Sequence, residues 1–431
     1  MKRLLLGLLL LMAVAACRQA KEKQDPGLTV GVPESVGFSS SRLALLDSSM
    51  NNWVKQKWLN GSVALVARRG KIVFHKAYGY NDPVTMAELD KNGIFRIASQ
   101  TKAITTVAAM MLWEEGKFAL DDPVSKYIPT YKDQVVLDQY NASDTTYTTV
   151  PAKRAITIRD LLTHTSGLGY PGIGSAQAKA IYAKNNIPGG LGTEDQKLSD
   201  AMTRLGTLPL LFQPGEEWMY GLNIDLLGYL IELWSGQTLE TFFTERIFEP
   251  LGMKDTYFNV PPEKASRLVN FFLGDDHGIK KQDTVLGVLA MDYPLQKHTY
   301  FSGGGGLSST ITDYAVFLQM LLNKGTYRGT RLLAHNTVRL MTMNQIGDLY
   351  VNLEAPSEYK FGFGFALVTE ESSRLTPSQA GTYSWGGIFS TSYWVDPKEE
   401  LIVLLYRQMW GPHIADTDQA FKPLVYQAID D

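Results

Sequence analysis

The sequence predicts an α/β fold in which one sheet is assembled from both ends of the chain, with a mainly helical region inserted between its halves. Three observations carry this. Residues 62–68 and 71–79, "SVALVAR" and "KIVFHKAYG", are β-rich runs separated by Arg69 and Gly70, a hairpin signal. Near the C-terminus, "FGFGFALV", "GTYSWGG", "STSYWVD" and "LIVLLYR" are short β-type runs divided by glycines or by Asp396, Pro397 and Lys398. Between these ends, about 117–340, the pattern is helical with long polar loops. Strands at both ends with helices between them are joined most simply in one sheet.

The N-terminus opens with Met1, Lys2 and Arg3, followed by the uninterrupted apolar run 4–16 and then Cys17 and a polar stretch. A membrane span takes roughly 20 apolar residues, so this run has the proportions of a signal-peptide core instead. "VAAC", 14–17, is similar to the lipobox of bacterial lipoproteins, in which the cysteine becomes the lipidated first residue. Cys17 is the chain's single cysteine, so it has no partner for an internal disulfide. The expected division is a lipoprotein signal peptide over 1–17, a hydrophilic tether over 18–30 and one folded domain over 31–431.

From Ser41, "SRLALLDSSMNNWVKQKW" has apolar residues at helical spacing. After the hairpin, "IFRIA" feeds a helix predicted to begin at Ser99 and to end at Gly116. Its surface is apolar almost all round, which predicts burial. Segments 131–153 and 169–199 are long and polar and read as lids or binding loops. "LNIDLLGYLIELWSG" and "TDYAVFLQMLLNKG" are the clearest helices, and a last helix closes the chain at about 416–430. With 431 residues the chain is long enough for a large core. A net charge of −3 supplies no basic field for nucleic acid and no acidic tail.

The chemistry centres on Ser99, Gln100, Thr101 and Lys102. Residues three apart on a helix share a face, so Ser99 and Lys102 can approach each other. A serine hydroxyl is a weak nucleophile until a base takes its proton. A lysine serves as that base when its surroundings disfavour the ammonium. The tetrapeptide alone favours the plainer reading, a Ser N-cap followed by an exposed Lys; the preceding strand-like run and the apolar helix behind it turn the balance to the catalytic one. No Gly-x-Ser-x-Gly elbow is present. His75, His164, His277, His298, His335 and His413 show no metal-ligand spacing, and no cofactor is implied. His164, in "THTSGL", is read as a structural imidazole at a helix end, and the "SGGGGLSST" run as close backbone approach near the cleft rather than a phosphate loop.

From about residue 33 to about 410 the chain resembles the serine β-lactamase and penicillin-recognising superfamily, within it the class-C-like (family VIII) carboxylesterases. The resemblance is carried, in order, by "GKIVFHKAYGYND", "FRIASQTKAIT", "LDDPVSKYIP", "ITIRDLLTHTSGL", "PGEEWMYGLNIDLLGYLIELWSG", "FEPLGMKDTYF", "GGGGLSSTITDYAVFLQMLLNKG" and "WGGIFSTSYWVDPKEELIVLLYRQ". It implies a β-lactamase/transpeptidase-like fold with an antiparallel sheet flanked by helices. It implies Ser99 as the acylated nucleophile, Lys102 as its base and Tyr220 as the proton relay. Trp385, Gly386 and Gly387 stand where the family has Lys-Thr-Gly, and the backbone N–H groups of Ser99 and Ile388 would form the oxyanion hole. Leu222 occupies the amide position of the family's Tyr-x-Asn, with Asn223 one residue on as a substrate-binding candidate. Exchanging the lysine for Trp385 disfavours an anionic substrate and favours an apolar one.

The expected protein is therefore a lipid-anchored serine hydrolase of the bacterial cell envelope, facing periplasm or exterior. It would cleave small-molecule esters through a Ser99 acyl-enzyme and have no nucleic-acid partner. Two other readings use the same scaffold: a penicillin-interactive D-Ala-D-Ala amidase or weak β-lactamase, against which Trp385 weighs, and a non-catalytic binding protein, against which the intact Ser99, Lys102 and Tyr220 weigh.

Overall fold

Alternation along Gly61–Arg68 places this strand between two cores. Val63, Leu65 and Ala67 point into the larger core, Ala64 and Val66 into a smaller one, and all eight residues of the strand are buried. Leu401–Tyr406, its antiparallel neighbour, divides the same way: Ile402, Leu404 and Tyr406 on one face, Leu401, Val403 and Leu405 on the other. This pair joins the two ends of the chain. The computed structural model describes residues 27–193, 196–275, 277–285, 289–353 and 358–431. The expected signal peptide and Cys17 lie outside the described residues.

The main sheet comprises β1 (Thr29–Val30), β2 (Gly61–Arg68), β3 (Lys71–Asp82), β4 (Lys360–Phe361), β5 (Ala366–Leu367), β6 (Tyr383–Gly387), β7 (Thr391–Asp396) and β8 (Leu401–Tyr406). Their spatial order is β1-β3-β2-β8-β7-β6-β5-β4, with Ala87–Glu88 pairing beside β3. The pairs are antiparallel except β1 with β3, which is parallel. Leu28 is buried and β1 pairs with Lys71 and Ile72, so the sheet takes in residues that the sequence assigns to the tether.

Helices cover both faces. On the smaller core lie α1 (Ser40–Lys55), through Leu43, Leu46, Met50 and Trp53, and the last helix, α6 (Ile414–Tyr426), through Phe421 and Val425. On the larger core lie α2 (Thr101–Glu114), α4 (Asn223–Ser235) and α5 (Ile311–Leu322). Every residue of α2 from Thr101 to Leu112 is buried, as its all-round apolar surface predicts. A short helix, α3 (Ile158–Thr163), begins with a capping box between Thr157 and Asp160.

The two expected polar loops differ from the prediction. Residues 131–153 contain an antiparallel hairpin, Val135–Tyr140 with Tyr147–Pro151. Its connection is held by Asn141 and Asp144 side chains accepting from nearby backbone N–H groups, not by a two-residue Asn-Gly turn, so the usual hairpin signal is missing. The segment 169–199 carries the helix Ala176–Lys184, whose Ser175 N-cap accepts from the Ala178 N–H at 3.3 Å. Only Ala178, Ile181 and Tyr182 of that helix are buried, too few for a clear periodic pattern. Among the described residues no helix is long and apolar enough to cross a membrane.

Candidate active site

Ser99 sits on a short 3₁₀ turn, Ala98–Gln100, between the strand Phe95–Arg96 and α2; the regular helix starts two residues later than expected. Ala98 has φ +43°, a left-handed conformation costing a non-glycine residue of order 1 kcal/mol. This kink leaves Ser99 half-buried while Ala98 and Gln100 on either side are buried. Gln100 pins the turn from below. Its carbonyl accepts from Tyr314 Oη at 2.8 Å, and its Oε1 from Tyr406 Oη at 2.6 Å.

Lys102 lies one turn on and is 2% exposed. Its Nζ is 3.4 Å from Ser99 Oγ, 2.5 Å from the Gly304 carbonyl and 3.5 Å from Tyr170 Oη. The same nitrogen sits 4.5 Å from the centroid of the Tyr220 ring, so Tyr220 offers it a π face. The Tyr220 hydroxyl accepts from Trp385 Nε1 at a long 3.4 Å. Three segments far apart in the chain thus bring Ser99 and Lys102, Tyr220, and Trp385 together.

The glycine-rich run approaches the cleft closely, as expected. A Cβ on Gly304 would stand 2.1 Å from Asp225 Oδ2, so the glycine lets the backbone pass between Lys102 and this carboxylate. Asp225 is fully buried, and its Oδ1 accepts from Ser302 Oγ at 2.6 Å. Burial holds its carboxyl above the usual range, opposed by the positive charge of Lys102. Tyr170, buried beside Lys102, is pushed well above the ordinary phenol value by burial and by the Asp225 charge. Sequence reasoning missed both residues. Asp225 reads as one more polar residue opening α4, and Tyr170 follows "THTSGL" at the start of a segment that reads as a loop.

One sequence candidate points away from the cleft. Asn223, the substrate-binding candidate, is fully buried. Its Oδ1 accepts from Ser166 Oγ, and its Nδ2 donates to His164 Nδ1 at 3.0 Å. As the first residue of α4 its side chain braces the "THTSGL" turn, leaving no polar atom for a ligand. His164 caps α3 in the left-handed conformation (φ +59°) and is fully buried. Burial, reinforced by the Lys102 charge, drops its basicity far below that of a free imidazole. It is a neutral structural group, 5.0 Å from the Tyr220 ring between centroids, in keeping with the sequence reading.

The cleft is a cavity of about 580 Å³. Ser99 and Tyr220 line it on one side and Gly386, Gly387 and Ile388 on another. Ile173, Leu353, Trp385 and Ile414 supply apolar wall. Tyr220 and Trp385 are backed by Trp218 and Phe361 in a continuous aromatic cluster. The guanidinium of Arg407, which also lines the cavity, is 1% exposed and already committed to Asp418 at 2.6 Å, Thr417 at 2.8 Å and the Ser390 carbonyl at 3.1 Å. The described lining therefore presents no unpaired cation to an anionic substrate.

Gly387 is where β6 meets the Ser99 turn. A Cβ there would lie 2.4 Å from the Ile97 carbonyl oxygen and 2.5 Å from Thr391 Oγ1. Gly387→Ala is expected to force the two segments apart, costing about 1–3 kcal/mol of stability. Turnover should fall by roughly tenfold or more because the proposed oxyanion donor moves with β6. Thermal melting and steady-state kinetics on one preparation check both effects.

A protein-family model described as Beta-lactamase matches residues 46–422. Protein Rv1367c of Mycobacterium tuberculosis is 36% identical over 354 residues, covering 80% of this chain and 85% of its own. Esterase EstB of Burkholderia gladioli is 30% identical over 394 residues, covering 87% of this chain and 93% of its own. Among solved structures, EstCE1, described as a hydrolase with promiscuous acyltransferase activity, superposes with a TM-score of 0.75 at 25% identity. That match covers 91% of this chain and 99% of EstCE1.

Proposed function

The chain belongs to the beta-lactamase family and is a serine hydrolase, and from that premise we propose that it cleaves neutral carboxylic esters through an acyl-enzyme on Ser99. The observation that carries this reading is the pairing of a buried Lys102 with Ser99, which lines a cavity whose aromatic and aliphatic wall has Trp385 in place of a cation.

In acylation, Ser99 Oγ attacks the ester carbonyl carbon and gives its proton to Lys102, which takes part in this step as the neutral amine. The carbonyl oxygen becomes an oxyanion held by the backbone N–H groups of Ser99 and Ile388. Collapse breaks the carbon–oxygen bond to the alcohol, which leaves with a proton returned through Lys102 and Tyr220. In deacylation, water replaces the alcohol and loses a proton to the same groups; collapse then releases the carboxylic acid and restores the Ser99 hydroxyl. Tyr220 is suited to the relay because its ring packs against Lys102 while its hydroxyl lies towards Trp385 on the cavity side. A penicillin-type substrate would bring a carboxylate to Trp385, whose indole cannot neutralise it.

The test is intact-mass spectrometry of residues 18–431 after a p-nitrophenyl acyl ester and, separately, a penicillin. A transient stoichiometric adduct on Ser99 from the ester, with nitrophenol release, is the expected result. A long-lived penicillin adduct without ester turnover would make the amidase reading correct, and no adduct from either would leave a binding protein.

We further propose that Cys17 is lipidated and tethers this hydrolase to the cell envelope. The support is the basic start, the apolar run 4–16 and the single cysteine directly after it. Cys17→Ser should move the protein from the membrane to the soluble fraction on cell fractionation, and membrane retention of that variant would refute the tether.

A further inference from the structure

The proposed oxyanion hole needs two backbone N–H groups from segments far apart in sequence, Ser99 and Ile388, held in a fixed relation. Residues 407–410, "RQMW", touch both segments. Gln408 reaches the nucleophile side. Its Oε1 accepts from the Arg96 backbone N–H at 3.2 Å, and its Nε2 donates to the Arg96 carbonyl at 3.2 Å, three residues before Ser99. Both main-chain groups of one residue are thus clamped by one buried amide.

The other three residues hold the turn 387–390. Arg407 Nε donates to the Ser390 carbonyl at 3.1 Å, and Ser390 Oγ donates to the Met409 carbonyl at 2.6 Å. Trp410 Nε1 donates to the Ile388 carbonyl at 2.5 Å. Ser390 has φ +66°, a left-handed conformation that these bonds stabilise, and its N–H closes the turn on the Gly387 carbonyl at 2.9 Å. The peptide unit is planar and trans, so the Gly387 carbonyl and the Ile388 N–H point in opposite directions. Turning that carbonyl inward aims the Ile388 N–H outward, and among the described residues this N–H meets no backbone acceptor. The Trp410 ring is itself fixed, edge-on to Phe271 at 5.3 Å and stacked on Phe389 at 6.4 Å between centroids.

We infer that Trp410 and Gln408 are positioning residues of the oxyanion hole, Trp410 anchoring the Ile388 carbonyl, one peptide unit on from the Ile388 N–H, and so holding the 387–390 turn in place, and Gln408 holding the strand before Ser99 at a fixed distance from it. This rests on the Ser99 acyl-enzyme reading. Neither residue touches substrate: their action is on the relative placement of two N–H donors, and a misplacement of order 1 Å costs roughly 100-fold in rate.

The test uses the folded protein with Trp410→Phe, which keeps the ring packing and removes the N–H, and with Gln408→Met, which removes the clamp at similar volume. Each is assayed for kcat and KM on a p-nitrophenyl ester, for labelling of Ser99 by a fluorophosphonate, and for inhibition by a trifluoromethyl ketone whose hemiketal oxygen mimics the oxyanion. The expected result is a kcat lowered roughly tenfold or more, KM within about threefold of the parent, and ketone affinity falling in parallel with kcat. A loss of thermal stability with kcat and ketone affinity unchanged in both variants would overturn the inference, since that is what packing alone predicts. Absence of fluorophosphonate labelling on Ser99 in the parent protein would instead overturn the acyl-enzyme reading, and the positioning role with it.

Discussion

Ser99→Ala is expected to lower ester turnover by roughly 10³-fold or more, with no adduct on the protein, because Ser99 Oγ is the aliphatic hydroxyl of the described cleft that is hydrogen-bonded to Lys102. The substitution removes one oxygen from a half-buried side chain whose neighbour Gln100 carries the turn's structural bonds. Its effect on stability should stay within about 1 kcal/mol. Melting temperature and intact mass after substrate measure the two effects on one sample. A Ser99→Ala protein that still turns over ester at the parent rate would remove Ser99 from the mechanism.

Tyr220→Phe separates the ring from the hydroxyl. The phenylalanine ring keeps its place against Lys102 Nζ, 4.5 Å away, and its contact with Trp385, centroids 5.5 Å apart. What is lost is a phenol whose hydrogen bond from Trp385 is long, 3.4 Å, and so of little structural value. If that hydroxyl relays the proton, kcat should fall by roughly 10²–10⁴-fold with KM little changed. A rise in KM with kcat preserved would mean that Tyr220 only shapes the cavity. Tyr170 makes this a sharp test, because its hydroxyl lies 3.5 Å from Lys102 Nζ and is held strongly protonated by burial. It is present in both proteins and stands outside the cavity lining, so it does not substitute for the relay.

Much of this architecture is legible in the sequence. The apolar residues of "SVALVAR" and "LIVLLYR" foretell buried strands, and the composition of "KAITTVAAMML" foretells a helix with no solvent side. Ser99 and Lys102 have a spacing that any helix start brings together. The hairpin at 135–151 is hidden because Asx-type turns stand where a glycine turn would announce it. Asn223 misleads because its nearness to Tyr220 in sequence says nothing about direction. The start of α4 leaves Tyr220 on the cleft and turns Asn223 towards His164.

Local periodicity defines the main elements, and the three-residue spacing, taken with the strand-like run before it and the apolar helix behind it, singles out Ser99 with Lys102; these are properties of neighbouring residues, so the linear chain carries them. What surrounds the pair is a matter of tertiary packing. The Asp225 carboxylate behind Gly304, the Tyr170 phenol, the commitment of Arg407 to Asp418 and the clamp of Gln408 and Trp410 on two distant backbone segments are set by how the folded chain packs. Burial there raises the carboxyl of Asp225 and the phenol of Tyr170 above their ordinary values, and hydrogen bonds across 11, 22 and 312 residues leave no periodic trace in the sequence.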